Sequence, residues 1–337
     1  MSHTIFRWIG AVIILPLFLS CDRDTEPDGP NLVDRFGPFT VLENLDANRE
    51  EVDFSQGQIV TFSAQFNKNV DWVITIVGQE SGAEKVIEGF NREIDASVAT
   101  WDGGSSGLPF FRTETALAFL TVPQEDTSFV DTVAIDLLGT KVYQGNVFAD
   151  FEEPASAADL FVGNFEFELT NNIGRQSDII PPAQGEFYLL LEGTDDVVRN
   201  FFVGLIRVNA SINDVTYVEV PTTIPDQCYF NFFLYNDGRP HGIAVIQFAF
   251  DSNDSGAYED GIDALFQLDG DFPLNFEGWR QYNHTMADVG MTAEQLEKIV
   301  AIRVLLISDD NAQPTPPLEV QFGIDFMVFT QGQPLQL

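Results

Sequence analysis

Short runs of alternating apolar and polar residues, separated by Gly, Asn and Asp, dominate the chain from Phe39 to about Gly139. Alternation with a period of two is the pattern of a half-buried β-strand. The runs lie at Phe39–Leu42, Ile59–Phe66, Trp72–Val77, Ala116–Thr121 and Val133–Leu137. Their regular spacing predicts an immunoglobulin-like β-sandwich over residues 38–140, with Trp72 in its core.

A second series of strand-like runs follows from Val142 onwards. They cover residues 145–151, 185–191, 201–208, 228–235, 243–250, 264–268, 300–307 and 320–329. So many short antiparallel-type runs fit a jelly roll over residues 141–337, with two sheets that face each other. One short helix is predicted to begin at Thr292, because Gln295 three residues later completes a capping box. The predicted fold class is therefore all-β.

The N-terminus has the pattern of an export signal over residues 1–20. Arg7 precedes an apolar run from Trp8 to Leu19, and this run is shorter than the roughly 20 residues that a membrane-spanning helix needs. Ser20 directly before Cys21 resembles a lipoprotein signal, so we expect the thiol of Cys21 to be lipidated. A plain secretory signal that is cleaved nearby is the alternative. The acidic, turn-rich stretch over residues 21–37 predicts a flexible tether that displays the rest of the chain at a membrane.

The charge and the cysteines narrow the classes of partner. A formal net charge of −36 argues against nucleic acid and anionic lipid surfaces, because both would repel the chain. If Cys21 is acylated, Cys228 has no second cysteine with which to form a disulfide. Cys228 lies in an apolar run and is predicted to be a small buried hydrophobic residue.

No catalytic constellation is predicted, and the chain is not expected to be an enzyme. Gly103–Gly107 matches the pattern of a hydrolase nucleophile elbow, but that motif needs a strand-to-helix turn, so a flexible glycine-serine loop is favoured. His241 and His284 are the two histidines after the signal, and neither has metal-ligand spacing to another His or Cys. A jelly-roll glycosidase or lyase is disfavoured because few basic residues are available.

A structural calcium ion is the one cofactor that the sequence suggests. Oxygen-bearing side chains alternate along the loop from Asp251 to Asp263, and Gly256 stands at its sixth position. The twelfth residue is Ile262 instead of a carboxylate, so a solvated acidic turn is the competing interpretation. The candidate ligands are Asp251, Asn253, Asp254, Asp260 and Asp263. A second candidate site joins Glu152 or Glu153 to Asp325.

A sugar-binding site needs an aromatic platform with planar hydrogen-bonding groups at its rim. The candidates are Trp101, Tyr235, Arg239, His241, Tyr258, Trp279 and Tyr282. Trp101 and Tyr258 are expected to be exposed in loops. Trp279 follows Gly278 and is either a loop platform or a core anchor, and the core anchor is favoured because large aromatic residues are highly buried on average.

The second part of the chain resembles galactose-binding-like modules of Bacteroidota surface lipoproteins. The resemblance rests on several segments in order along the chain: Phe148–Glu153, Tyr188–Asp195, Tyr229–Tyr235, Gly256–Gly261, Phe276–Trp279 and Gly323–Thr330. It implies a non-catalytic, lipid-anchored protein on the outer membrane, facing the cell exterior, that captures polysaccharide for an outer-membrane transporter. The alternative is an accessory envelope lipoprotein that docks to another membrane protein.

Overall fold

The computed structural model describes residues 37–125, 130–152, 160–162, 170–176, 180–195, 202–239, 243–268, 272–307 and 318–337. Residues 40–337 form one compact unit. Their described part is almost entirely β-structure, which confirms the predicted fold class. No helix within the described ranges is long and apolar enough to cross a membrane. The predicted signal, Cys21 and His241 lie outside the described residues.

The first part of the compact unit contributes one seven-stranded sheet, ordered β1-β3-β6-β7-β2, with β4 and β5 paired to β3. Its strands are β1 (Val41–Ala47), β2 (Glu51–Asp53), β3 (Val60–Gly78), β4 (Glu84–Ile94), β5 (Thr100–Trp101), β6 (Thr115–Thr121) and β7 (Val130–Gly139). A 3-10 helix covers Phe54–Gln56. The β2–β7 pair is parallel, and the other described ladders of this sheet are antiparallel. The immunoglobulin type of this part stays a prediction.

Strand β3 merges two runs that the sequence predicts as separate strands. Phe66, Lys68, Val70 and Trp72 are all buried on one face, so the alternation continues through the polar residues between the runs. Lys68 can be buried on this face because its ammonium group forms an ion pair with the carboxylate of Glu125, at 2.7 Å. Trp72 is fully buried, as predicted.

The second part contributes two six-stranded antiparallel sheets. Sheet I has the order β10-β11-β19-β13-β17 with β8 on β19, and sheet II has the order β15-β14-β18-β12-β9 with β16 on β14. The strands are β8 (Asn146–Ala149), β9 (Leu160–Val162), β10 (Thr170–Gln176), β11 (Tyr188–Asp195), β12 (Phe202–Asn209), β13 (Cys228–Asp237), β14 (Ile243–Phe250), β15 (Ala264–Gln267), β16 (Phe272–Pro273), β17 (Glu277–Thr285), β18 (Ile299–Ile307) and β19 (Leu318–Gln331). Two further 3-10 helices cover Ala210–Asn213 and Pro225–Gln227.

The predicted helix exists as a single turn, α1 (Ala293–Leu296). Thr292 caps it through the predicted capping box, in which its hydroxyl accepts the Gln295 N–H and the Gln295 side chain accepts the Thr292 N–H at 2.8 Å. Leu296 is the buried residue of this turn.

One large apolar core fills the space between sheets I and II. Sheet I contributes inward residues such as Phe230, Phe232 and Phe329, and sheet II contributes Ile206 and Ile302 among others. Cys228 is part of this core, as predicted, and burial raises the pKa of its thiol to about 12. The second part is therefore a β-sandwich, and alternate residues of each strand point away from its core.

The predicted boundary between residues 140 and 141 coincides with a change of sheet, since the strands up to Gly139 form one sheet and those from Asn146 form the other two. Phe110 packs across this point, with its ring stacked on Tyr143 at 4.1 Å and edge-on to Phe233. The division into two domains stays a prediction.

Candidate functional site

The outer face of sheet II carries a row of polar side chains in register on four neighbouring strands. Arg207 on β12 pairs directly with Arg303 on β18, which pairs with Gln247 on β14, which pairs with Gln267 on β15. The flanking residues of each strand point into the core, so these four point outward. We call Arg207, Arg303, Gln247 and Gln267 the polar row. With strands about 4.8 Å apart, the row is about 14 Å long.

An apolar strip runs beside the polar row, two residues further along the strands. Leu205, Leu305 and Val245 are consecutive partners in the same ladders. Leu205 and Leu305 are half-buried, while Val245 is buried. Apolar groups next to planar polar groups are the combination that a sugar ring requires, because its C–H face and its hydroxyls need different partners.

Two tyrosines border the other side of the polar row. Tyr217 and Tyr258 pack on the small buried residues Ala249, Val300 and Ala301. The Tyr258 ring lies over the guanidinium groups of Arg207 and Arg303, at 4.4 and 5.6 Å from the ring centre. These distances are within the range of a cation–π interaction. The polar row therefore lies between the two tyrosines and the apolar strip, and we call this surface the trough.

The electrostatics of the trough keep its groups in fixed protonation states. Burial is the main cause that lowers the pKa of Arg207, and the neighbouring Arg303 adds to it, but a guanidinium remains charged in proteins. Burial and a hydrogen bond to Asp260 raise the pKa of Tyr258. The Tyr258 hydroxyl therefore stays protonated and donates to Asp260 at 2.8 Å. Groups of this kind bind and orient a ligand, and they do not exchange protons near neutral pH.

The loop that presents Tyr258 is organised by buried carboxylates. Asp251 accepts N–H groups from Asn253, Ser255 and Gly256 at 2.8 to 3.2 Å, and it also accepts the hydroxyl of Tyr217 at 3.1 Å. Asp263 accepts N–H groups from Ser252 and Glu259. These hydrogen bonds hold the loop, and with it Tyr258, in one conformation.

This same loop contains the predicted calcium ligands, and the structure does not bring them to one point. Asp254 pairs with Lys298 at 2.6 Å, and the Asn253 amide donates to Glu259. Within the described residues, no three His, Cys, Asp or Glu side chains form a metal-binding group. Asp260 accepts the Tyr258 hydroxyl, so three of the five predicted ligands, Asn253, Asp254 and Asp260, each bind a different side chain and the set does not fit a calcium ion.

The second calcium candidate brings two carboxylates, those of Asp325 and Glu152, into electrostatic interaction. The Asp325 carboxylate is fully buried and accepts N–H groups from Ala183, Gln184 and Phe326 at 2.8 to 3.0 Å. Glu152 accepts N–H groups from Glu186 and Phe187 in the same loop. Burial, with the repulsion of Glu152 added, raises the pKa of Asp325 well above its ordinary value. Two nearby carboxylates with this electrostatic strain are a donor pair that a hard cation would stabilise. Glu153 lies outside the described residues.

Two of the predicted sugar-binding aromatics meet on sheet I instead. Trp279 on β17 pairs with Tyr235 on β13, and the rings are edge-to-face at 5.5 Å. The Trp279 indole donates to the Pro181 carbonyl at 2.6 Å and also packs edge-on to Tyr188. The indole is thus a half-buried anchor for the loop around Pro181. Arg239 lies in the turn after β13 and forms an ion pair with Asp237.

Two sequence-based expectations about aromatic residues are wrong. Trp101 is fully buried, because its ring packs between Phe54 and Phe111 and its N–H donates to Gly104. Tyr258 is half-buried against the arginines. The alternative of a core anchor holds for Trp279, which lies in strand β17 and packs against buried residues, and Tyr282 of the same strand stacks on Phe232 of the core.

Sequence reasoning missed the polar row itself. Arg207 and Arg303 are each a single charged residue within an otherwise apolar strand, in the segments Leu205–Val208 and Ile302–Val304. A single arginine within an apolar strand indicates an outward-facing charged side chain, but it does not indicate that the two strands are neighbours. The strand order of sheet II brings them together.

Comparisons with known proteins give neighbours among solved structures alone. No family model and no curated protein matches the chain. A structure of carbohydrate-binding modules from the β-sandwich superfamily is 11% identical, with a TM-score of 0.37 over 87% of this chain and 98% of that one. A family 30 carbohydrate-binding module is 8% identical, with a TM-score of 0.40 over 58% of this chain and 91% of that one. SGBP-B from a xyloglucan utilization locus in Bacteroides uniformis is 12% identical, with a TM-score of 0.36 over 87% of this chain and 73% of that one. At this level of similarity, the function of the chain has to be inferred from its own side chains.

Proposed function

We propose that this chain is a non-catalytic glycan-binding protein and that its binding site is the trough on the outer face of sheet II. The observation that carries the proposal is the polar row Arg207–Arg303–Gln247–Gln267, which lies in register between an apolar strip and Tyr258. Guanidinium and carboxamide groups are planar hydrogen-bonding groups of the kind that orient sugar hydroxyls. A row of about 14 Å suits several sugar residues of a polymer.

The predicted lipid anchor gives this site a cellular role. With Cys21 acylated and residues 22–37 as a tether, the sandwich would be held at the outer membrane, facing the exterior, where it would capture polysaccharide for a transporter. Changing Cys21 to Ser should move the protein from the membrane fraction to the soluble fraction of its native host. Retention of the Cys21→Ser variant in membranes would contradict the anchor and leave the sugar site untouched.

The binding test uses soluble protein over residues 22–337, which contains every described residue. Isothermal titration against a panel of polysaccharides should show binding to at least one of them. Tyr258→Ala should weaken that binding about tenfold, which corresponds to about 1.4 kcal/mol. Tyr229→Ala is the matched control, because Tyr229 lies on β13 of sheet I.

Two results would count against this function. If no polysaccharide binds, the glycan role fails, and capture of an envelope protein would favour the docking alternative. If Tyr258→Ala and Tyr229→Ala weaken binding equally, sugar binding remains but its assignment to sheet II fails.

A further inference from the structure

The charged half of the polar row is unusual in so acidic a chain. The protein has 52 Asp and Glu residues and 16 Lys and Arg residues, so a carboxylate partner for any arginine is easily supplied. Arg303 lies directly opposite a second arginine, Arg207, on the neighbouring strand. Like charges in this position destabilise a sheet. No ion pair to Arg303 occurs among the described residues.

Two atoms at the centre of the row lack hydrogen-bond partners in the part of the chain that the structure describes. They are the Nε donor of Arg303 and the Oε1 acceptor of Gln247, and both are buried. The Gln247 amide nitrogen is already used, since it donates to Gln267 at 3.2 Å. Buried polar atoms without partners are rare because each costs about 1–3 kcal/mol. A ligand that binds between these side chains would therefore have to accept a hydrogen bond from Arg303 and donate one to Gln247.

The hydrogen-bonding groups of Arg303 and Gln247 that lack partners indicate which class of sugar would bind. Arginine binds a carboxylate through two parallel hydrogen bonds, and such charge-assisted bonds are about twice as strong as neutral ones. The glutamine oxygen beside it needs a hydroxyl donor. A sugar that carries a carboxylate next to its ring hydroxyls offers both groups at once, whereas a neutral sugar leaves the charge of Arg303 without a counterion.

We propose that the polar row binds a uronic acid residue of an acidic polysaccharide, with its carboxylate on Arg303 and a hydroxyl on Gln247. This inference rests on the proposed function and names the substrate class of the same site. Tyr258 holds both guanidinium groups from one side, and the apolar strip receives the C–H face of the sugar.

The test compares each charged polymer with its uncharged methyl ester. Polygalacturonate, polymannuronate and glucuronoxylan are titrated into the soluble protein, each beside its methyl-esterified form, with a sulfated galactan as a further anion. We expect the protein to bind at least one uronate polymer. Esterification of that polymer should weaken the binding affinity at least tenfold, because it removes a charge-assisted hydrogen bond worth about 1.5 kcal/mol or more.

Arginine variants then locate the effect. Arg303→Gln should weaken uronate binding about tenfold or more, while Arg303→Lys, which keeps the charge and loses the planar fork, should give an intermediate loss. Arg280→Gln is the matched control, since Arg280 is exposed on β17 and also lies over an aromatic ring, that of Phe276 at 4.2 Å. Thermal unfolding of each variant shows whether it is folded. If Arg303→Gln is not folded, Gln247→Ala, which removes the other proposed contact, gives a second variant.

The outcomes separate the two proposals. Binding to neutral glycans that is lost in Tyr258→Ala but unchanged in Arg303→Gln would overturn the uronate inference and leave the glycan-binding function intact. Binding to the sulfated polymer without any uronate would also overturn it. Absence of binding to every polymer would overturn both.

Discussion

At the scale of single residues, this chain places carboxylates where they organise loops. Glu114 is almost fully buried and accepts the N–H groups of Glu80, Ser81 and Arg112, which fixes the turn after β3. Burial opposes its ionisation, but the hydrogen bonds from Ser81, Arg112 and Glu80 outweigh this and lower the pKa of Glu114. A lowered pKa means that the ionised form stabilises the fold above the ordinary glutamate pKa, and this stability is lost as pH falls through the folded-state value.

Glu114→Gln should therefore destabilise the protein at neutral pH. The amide nitrogen of glutamine would face N–H donors and leave at least one of them without a partner, at a cost of about 1–3 kcal/mol. Urea unfolding at pH 7 and near pH 4 measures the effect. The difference from wild type should shrink at the lower pH, because residue 114 of the unfolded chain, with its ordinary glutamate pKa, takes up a proton there. A difference that is the same at both pH values would show that the charge of Glu114 contributes nothing.

The two calcium candidates can be separated by single substitutions. We expect Ca²⁺ to raise the unfolding temperature of the wild type, because it would relieve the repulsion between the buried Asp325 and Glu152. Asp325→Asn should abolish this shift, while Asp251→Asn should retain it, since Asp251 takes no part in the repulsion between Asp325 and Glu152. The measurement is thermal unfolding in Ca²⁺ and in chelator. A shift that depends on Asp251 instead would assign the ion to the acidic loop.

At the scale of elements, the alternation of apolar residues predicted most strands of the sandwich. The run at residues 243–250 coincides with β14, the run at residues 201–208 overlaps β12, and the run at residues 228–235 lies within β13. Strands β4 and β17 were missed because their exposed and half-buried residues do not form a clear apolar run. The polar row was out of reach for a different reason, since it depends on strand order, which local pattern does not encode.

A glycine on β4 shows how one element depends on another. Gly89 lies opposite the fully buried Trp72, and a Cβ atom at residue 89 would lie 2.4 Å from the indole. Gly89→Ala should lower the free energy of unfolding by about 1–3 kcal/mol, because the ring has no space in which to move. Gly107→Ala is the control, since nothing lies within 4 Å of a Cβ atom there. Equal stabilities in urea for the two variants would mean that the indole shifts without cost.

At the scale of the whole molecule, a net charge of −36 opposes the approach of an acidic polysaccharide that the local arginine pair would attract. The two effects act over different distances. Raising the ionic strength from about 0.01 M to about 0.15 M shortens the Debye length from about 30 Å to about 8 Å, which screens the long-range repulsion more than the close arginine–carboxylate contacts. We therefore expect the association rate constant for an oligouronate to rise about threefold or more over this range, measured by surface plasmon resonance with the sugar immobilised. The methyl-esterified oligomer should show little change, because it carries no charge to be repelled. A rate constant that falls with salt would mean instead that the arginine pair, and not the net charge, governs the encounter.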